Sequence, residues 1–138
     1  MIITEGTETG FRTDFTGELA ELGNLRRAIR KELTEWGLER LTDDAVLVID
    51  ELLANVHEHS GGTGELNIAL GKDRLIVRVS DPDPTPPTPR TPAVTAESGR
   101  GLLLVDALTD HRETVITDMG KTVVCTFRLD TEHPPVQP

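Results

Sequence analysis

The sequence predicts an α+β protein: a two-layer sandwich whose mainly antiparallel mixed sheet is covered on one face by about three helices. Three observations lead there. Two long stretches, 19–36 and 45–56, carry apolar residues at helical spacing. Later stretches alternate apolar and polar residues and come in pairs separated by turn residues. Strands joined by tight turns run antiparallel, and amphipathic helices must bury their stripes on the sheet. With 138 residues the chain suffices for one core, so it reads as a single domain with a structured part from about residue 11 to 130.

The elements follow in order. The first ten residues are polar with little pattern. Phe11-Arg12-Thr13-Asp14-Phe15 alternates as a short strand does. Leu19, Leu22, Leu25, Ile29, Leu33 and Trp36 fall on one helical face, and Gly37 stops that helix. Thr42-Asp43-Asp44 opens a second helix, with Thr42 as an acceptor for free N–H groups and the acids at the positive dipole end. Ala45, Val48, Ile49, Leu52 and Val56 form its stripe. It runs to about His59, where Ser60-Gly61-Gly62-Thr63-Gly64 breaks it.

Two strands follow, one with Leu66, Ile68 and Leu70, the next with Leu75, Val77 and Val79, joined by a Gly71-Lys72-Asp73 turn. Between 82 and 92 lie six of the nine prolines, which have no N–H to give a helix or an inner strand. A long loop from about 82 to 100 results, of the kind that serves as a lid. Leu102 to Leu108 reads as a short helix starting at a glycine pair. Glu113 to Thr117 and Thr122 to Leu129 read as strands joined by Asp118-Met119-Gly120-Lys121. The polar, proline-containing tail from Thr131 to Pro138 is expected to fray.

Composition narrows the function. A net charge of −10 repels phosphate backbones, so direct nucleic-acid binding is not expected and control of gene expression would go through protein contact. No apolar run approaches the ~20 residues of a membrane span. The first residues do not read as a signal peptide, which points to the cytoplasm. The single cysteine, Cys125, excludes an internal disulfide and reads as a small buried hydrophobe.

Three groups of residues could carry chemistry. Glu51 and Asn55, four apart on the second helix, project from one side of it. A carboxylate beside an amide oxygen makes a modest site for Mg²⁺, which takes few protein oxygens, and a Glu can accept a proton from an attacking hydroxyl. Asp81 ends a strand, where it can accept a hydrogen bond from an exocyclic amine. Gly99-Arg100-Gly101 precedes a helix, where backbone N–H groups, the dipole and Arg100 suit phosphates. Each has a plainer reading alone: a solvated helix face, a turn-forming Asp before Pro82, and a flexible hinge. His57-Glu58-His59 does not converge as a metal site, because successive helix residues point apart.

The order of these residues adds a resemblance. Glu-Leu-Leu-Ala-Asn-Val-His-Glu-His at 51–59 resembles the N box of the GHKL ATPase superfamily, whose domains have the Bergerat fold. Asp81 sits where that superfamily has its adenine-reading Asp. Ser98-Gly99-Arg100-Gly101-Leu102 resembles its second glycine box, and Lys121-Thr122-Val123-Val124 its closing strand. Within the superfamily the chain looks like the single-domain anti-sigma-factor serine/threonine kinases of actinobacterial type.

The resemblance implies roles. Asn55 would bind Mg²⁺ at the phosphates of ATP, and Glu51 would be the base for a protein hydroxyl. Asp81 and Thr122 would read adenine, and Gly99, Arg100, Gly101 and Leu102 would cover the phosphates. The implied partners are a sigma factor, which is sequestered, and a STAS-type anti-sigma antagonist, which is phosphorylated; a homodimer is compatible with the family. The chain departs from the family at the first glycine box, which reads Asp81-Pro82-Asp83-Pro84-Thr85 without either glycine. That departure predicts weaker ATP binding and slower turnover. It also keeps a second function open, a nucleotide-binding interaction module that inhibits a sigma factor without kinase activity.

Overall fold

A computed structural model describes residues 2–5, 8–16, 18–60, 63–82 and 96–129, with 2–5, 8, 19, 58–60 and 96–101 described for backbone only. Its elements in chain order are β1 (Ile2–Glu5), β2 (Glu8–Phe15), α1 (Leu19–Glu35), α2 (Glu39–Ser60), β3 (Gly64–Leu70), β4 (Arg74–Asp81), α3 (Ala96–Leu108), β5 (His111–Thr117) and β6 (Gly120–Arg128). The strands form one sheet in the order β1-β2-β3-β4-β6-β5, antiparallel at each described pairing. The α+β sandwich expected from the sequence is the fold observed.

The helical stripes become the core. Leu25, Ile29 and Leu33 of α1 and Ala45, Val48, Ile49, Leu52 and Val56 of α2 are buried together with Leu66, Ile68, Leu75, Val77, Val79, Val123, Cys125 and Phe127 of the sheet. Gly37 closes α1 at a φ of 81°, the left-handed conformation that glycine adopts without strain. Its N–H donates to the Thr34 carbonyl while the Leu38 N–H donates to the Leu33 carbonyl, a Schellman closure. The Gly71 turn joins β3 to β4, with Gly71 N–H donating to the Arg74 carbonyl at 2.9 Å.

Four local expectations are corrected. The opening residues, read as patternless, include β1, a short edge strand stabilised by pairing with β2 rather than by any signal of its own. Next, α2 begins at Glu39, ahead of Thr42. Thr42 is therefore not a cap: it lies buried in the first turns and its hydroxyl donates back to the Leu38 carbonyl at 2.9 Å. The last helix begins at Ala96 instead of Leu102, so Gly99 and Gly101 lie inside α3. Finally, β5 and β6 each begin two residues earlier than expected.

Candidate functional site

The site residues are positioned by the β4–β6 ladder. On the helix-covered face Leu75 pairs with Phe127, Val77 with Cys125 and Val79 with Val123, and all six are buried. One row further Asp81 pairs with Lys121. The alternation that buries the valines puts this charged pair on the same face. The Lys121 ammonium lies 3.2 Å from Oδ1 and 3.1 Å from Oδ2 of Asp81, bridging the carboxylate. Their side chains are 6% and 1% exposed, so this is an ion pair inside the protein.

Gly120 makes the approach of these strands feasible. At a φ of 145° it sits where a Cβ would come within 2.1 Å of the Asp81 carbonyl oxygen and 2.8 Å of the Pro82 Cα. Any side chain there would push β6 away from the end of β4.

Above the sheet, α2 packs on β4 and against α1 and α3. Glu51 and Asn55 are half-buried at the flank of its apolar stripe. The Asn55 side-chain nitrogen is buried, and among the described residues no hydrogen-bond partner accepts from it. Next to Glu51, Asp50 is committed elsewhere, its two oxygens accepting from the Arg26 Nε of α1 at 3.1–3.2 Å. Arg112 of β5 anchors α3 through Asp106, with its Nε 2.6 Å from Oδ1 and a second contact of 3.1 Å to Oδ2. That hydrogen bond raises the Arg112 pKa further above its ordinary value, against the opposing effect of burial.

A family model described as the histidine kinase-like ATPase domain matches residues 15–127. The chain belongs to this family. No curated protein matches it in sequence. Among solved structures, the RsbU and RsbW domains of Rv1364c from Mycobacterium tuberculosis match with a TM-score of 0.65 at 21% identity, over 87% of this chain and 32% of that one. At that identity the likeness is one of fold, and the chain spans about a third of that protein's crystallised length.

Within this ATPase-type domain, the structure brings together some of the residues picked from sequence and separates others. Asp81 is on the helix-covered face. Thr122, paired with it in the sequence reading as an adenine contact, is on the opposite face, where its hydroxyl lies 2.8 Å from that of Ser80. The two side chains do not converge, because strand neighbours alternate faces. The residue of β6 beside Asp81 is Lys121, which sequence reasoning missed. No local signal gives this pairing, because α3 and β5 separate β4 from β6 and no turn sets their register.

Leu102 of α3 is fully buried. The lid residues from 83 to 95 lie outside the described residues, as do the side chains of Gly99 to Gly101, Glu58 and His59. Among the described residues no group of three or more His, Cys, Asp or Glu is placed to hold a metal, and no helix is long and apolar enough to cross a membrane.

Proposed function

We propose that this ATPase-family domain binds ATP with Mg²⁺, sequesters a sigma factor by protein contact, and phosphorylates a serine or threonine of a STAS-type anti-sigma antagonist. The observation that carries the reading is Asn55, one helical turn from Glu51, whose buried amide nitrogen has no hydrogen-bond partner among the described residues. An unsatisfied buried donor costs about 1–3 kcal/mol, which makes such a group a place for a ligand to complete. The amide can present either end, its oxygen to a hard cation or its nitrogen to a phosphate oxygen.

The donors fit the ion. The amide oxygen of Asn55 is a ligand of the kind Mg²⁺ takes while keeping waters and phosphate oxygens for the rest, which leaves Glu51 for the proton. When bound, the ion would neutralise charge on the phosphates. Glu51 then has the task of accepting the proton of the acceptor hydroxyl. As that oxygen bonds to the γ-phosphorus, the bond from phosphorus to the ADP oxygen breaks. Gly99, Arg100 and Gly101, in the first two turns of α3, would cover the phosphates.

The test uses labelled ATP, Mg²⁺ and a candidate antagonist. Glu51→Ala is expected to lower label transfer by about 10²–10⁴ while nucleotide affinity changes little. Asn55→Ala is expected to lower both. Unchanged transfer in Glu51→Ala would remove the base assignment.

A second reading, regulation by binding alone, is favoured by one observation: the Asp81 carboxylate is already bridged by a cation, and Pro82 follows it directly. Thermal stabilisation by nucleotide without label transfer would select that reading.

A further inference from the structure

The arginines divide into two groups. Arg12, Arg26, Arg30, Arg74 and Arg112 each approach a carboxylate, and Arg27 donates to the Asn24 amide oxygen. The guanidiniums of Arg40, Arg78 and Arg128 have no ion pair or hydrogen bond among the described residues. That is unexpected in a chain whose 24 acids outnumber its 14 lysines and arginines. Two of the three, Arg40 and Arg128, line one open cavity of about 400 Å³.

The rest of the lining is largely apolar. Leu38 and Leu41 at the junction of α1 and α2, and Leu129 just after β6, pack on the core and are only half-buried. Main-chain bonds fix this frame. The Leu38 N–H donates to the Leu33 carbonyl, the Leu41 N–H to the Leu38 carbonyl and the Leu129 N–H to the Asp73 carbonyl, all at 2.9–3.0 Å. A ligand seated here would take from water the leucine surface that the core leaves exposed. Glu39 also lines the cavity, so two guanidiniums against one carboxylate leave it a net charge of +1.

We propose that this cavity binds a small organic acid: a monocarboxylate whose apolar chain rests on Leu38, Leu41 and Leu129 and whose carboxylate is taken by the guanidiniums of Arg40 and Arg128. A planar guanidinium matches a carboxylate through two parallel hydrogen bonds. The net charge of the lining suits a monoanion better than a dianion. Size selects a small molecule over a protein segment, because a stable protein interface covers about 800 Å² on each partner, whereas seven residues line this cavity. The site lies at the Arg74–Arg128 end of the β4–β6 ladder, roughly 23 Å from Asp81–Lys121 at ~3.3 Å per residue, and is independent of the ATP-binding reading.

The test titrates octanoate, 1-octanol and octylamine into the isotope-labelled full chain at about pH 7, where octanoate is ionised. Amide shifts are followed residue by residue by NMR. The largest octanoate shifts are expected at Gly37 to Leu41, Arg128 and Leu129. Octanoate should bind about tenfold or more tightly than octanol, the gain of charge-assisted hydrogen bonds, and octylamine more weakly than either.

Arg40→Gln with Arg128→Gln removes both charges at exposed positions, where the fold tolerates it, and octanoate is then expected to bind no better than octanol. Arg78→Gln removes the third unengaged guanidinium, which lies on the face of β4 opposite the helices, and should leave octanoate affinity unchanged. Octanoate shifts that are absent or centred elsewhere would overturn the proposal. So would equal binding of octanoate and octanol, a preference for octanoate that survives in the double variant, or an equal loss in Arg78→Gln.

Discussion

The two ends of the β4–β6 ladder solve the same packing problem with opposite chemistry. At one end Leu75–Phe127 and Val77–Cys125 fill the helix-covered face with carbon and sulfur. At the other, Asp81–Lys121 fills it with a bridged carboxylate and ammonium. Apolar pairs contribute by leaving water, at roughly 25 cal/mol per Å² of surface removed. The ion pair must first overcome the dehydration of two charges, so its net contribution is small even though each partner depends strongly on the other.

The largest expected effect comes from splitting the pair. Asp81→Ala leaves Lys121 buried without its carboxylate and should destabilise the domain by about 3–5 kcal/mol in urea unfolding. Replacing both, as Asp81→Leu with Lys121→Met, should leave stability unchanged or raise it. A loss as large as that of the single variant would mean that the pair is a structural element rather than a retained site. The apolar end behaves differently. Leu75→Ala should cost about 2–5 kcal/mol through lost burial and the cavity left behind, and no partner substitution should restore it.

How far the sequence alone reached follows the same division. The apolar periods of α1 and α2 and the alternation in β3 and β4 were legible because burial writes itself into spacing. The start of α3 was not, because Gly99 and Gly101 read locally as breakers while the helix around them is stabilised by packing on α2 and by the Arg112–Asp106 anchor. The edge strand β1 left no pattern, since its formation depends on the partner strand β2. In the candidate site, the placement of Glu51 and Asn55 on one helix and of Asp81 at a strand end was legible from the sequence. Lys121 was not, because the motif drew attention to Thr122, and only strand register shows which of two neighbours shares a face with Asp81.

Cys125 supplies the smallest and most selective test, because it is a proton-bearing group placed in the apolar part of the ladder. Burial pushes its thiol from about 9 up to about 12. Arg112 lowers it and Asp106 raises it, both by smaller amounts. The folded state therefore holds the proton more tightly than the unfolded chain does. The resulting stability is fully present below pH 9, and it is lost as the pH rises from the unfolded value of about 9 through the folded value of about 12. Cys125→Ala removes this proton linkage and adds a pH-independent cavity penalty. The stability difference between wild type and variant should then be flat below pH 9 and shrink by up to about 1.4 kcal/mol for each pH unit above it. A difference that stays flat to pH 11 would mean that water reaches the thiol, and that this part of the ladder is less dry than the burial of Val77, Cys125 and Phe127 requires.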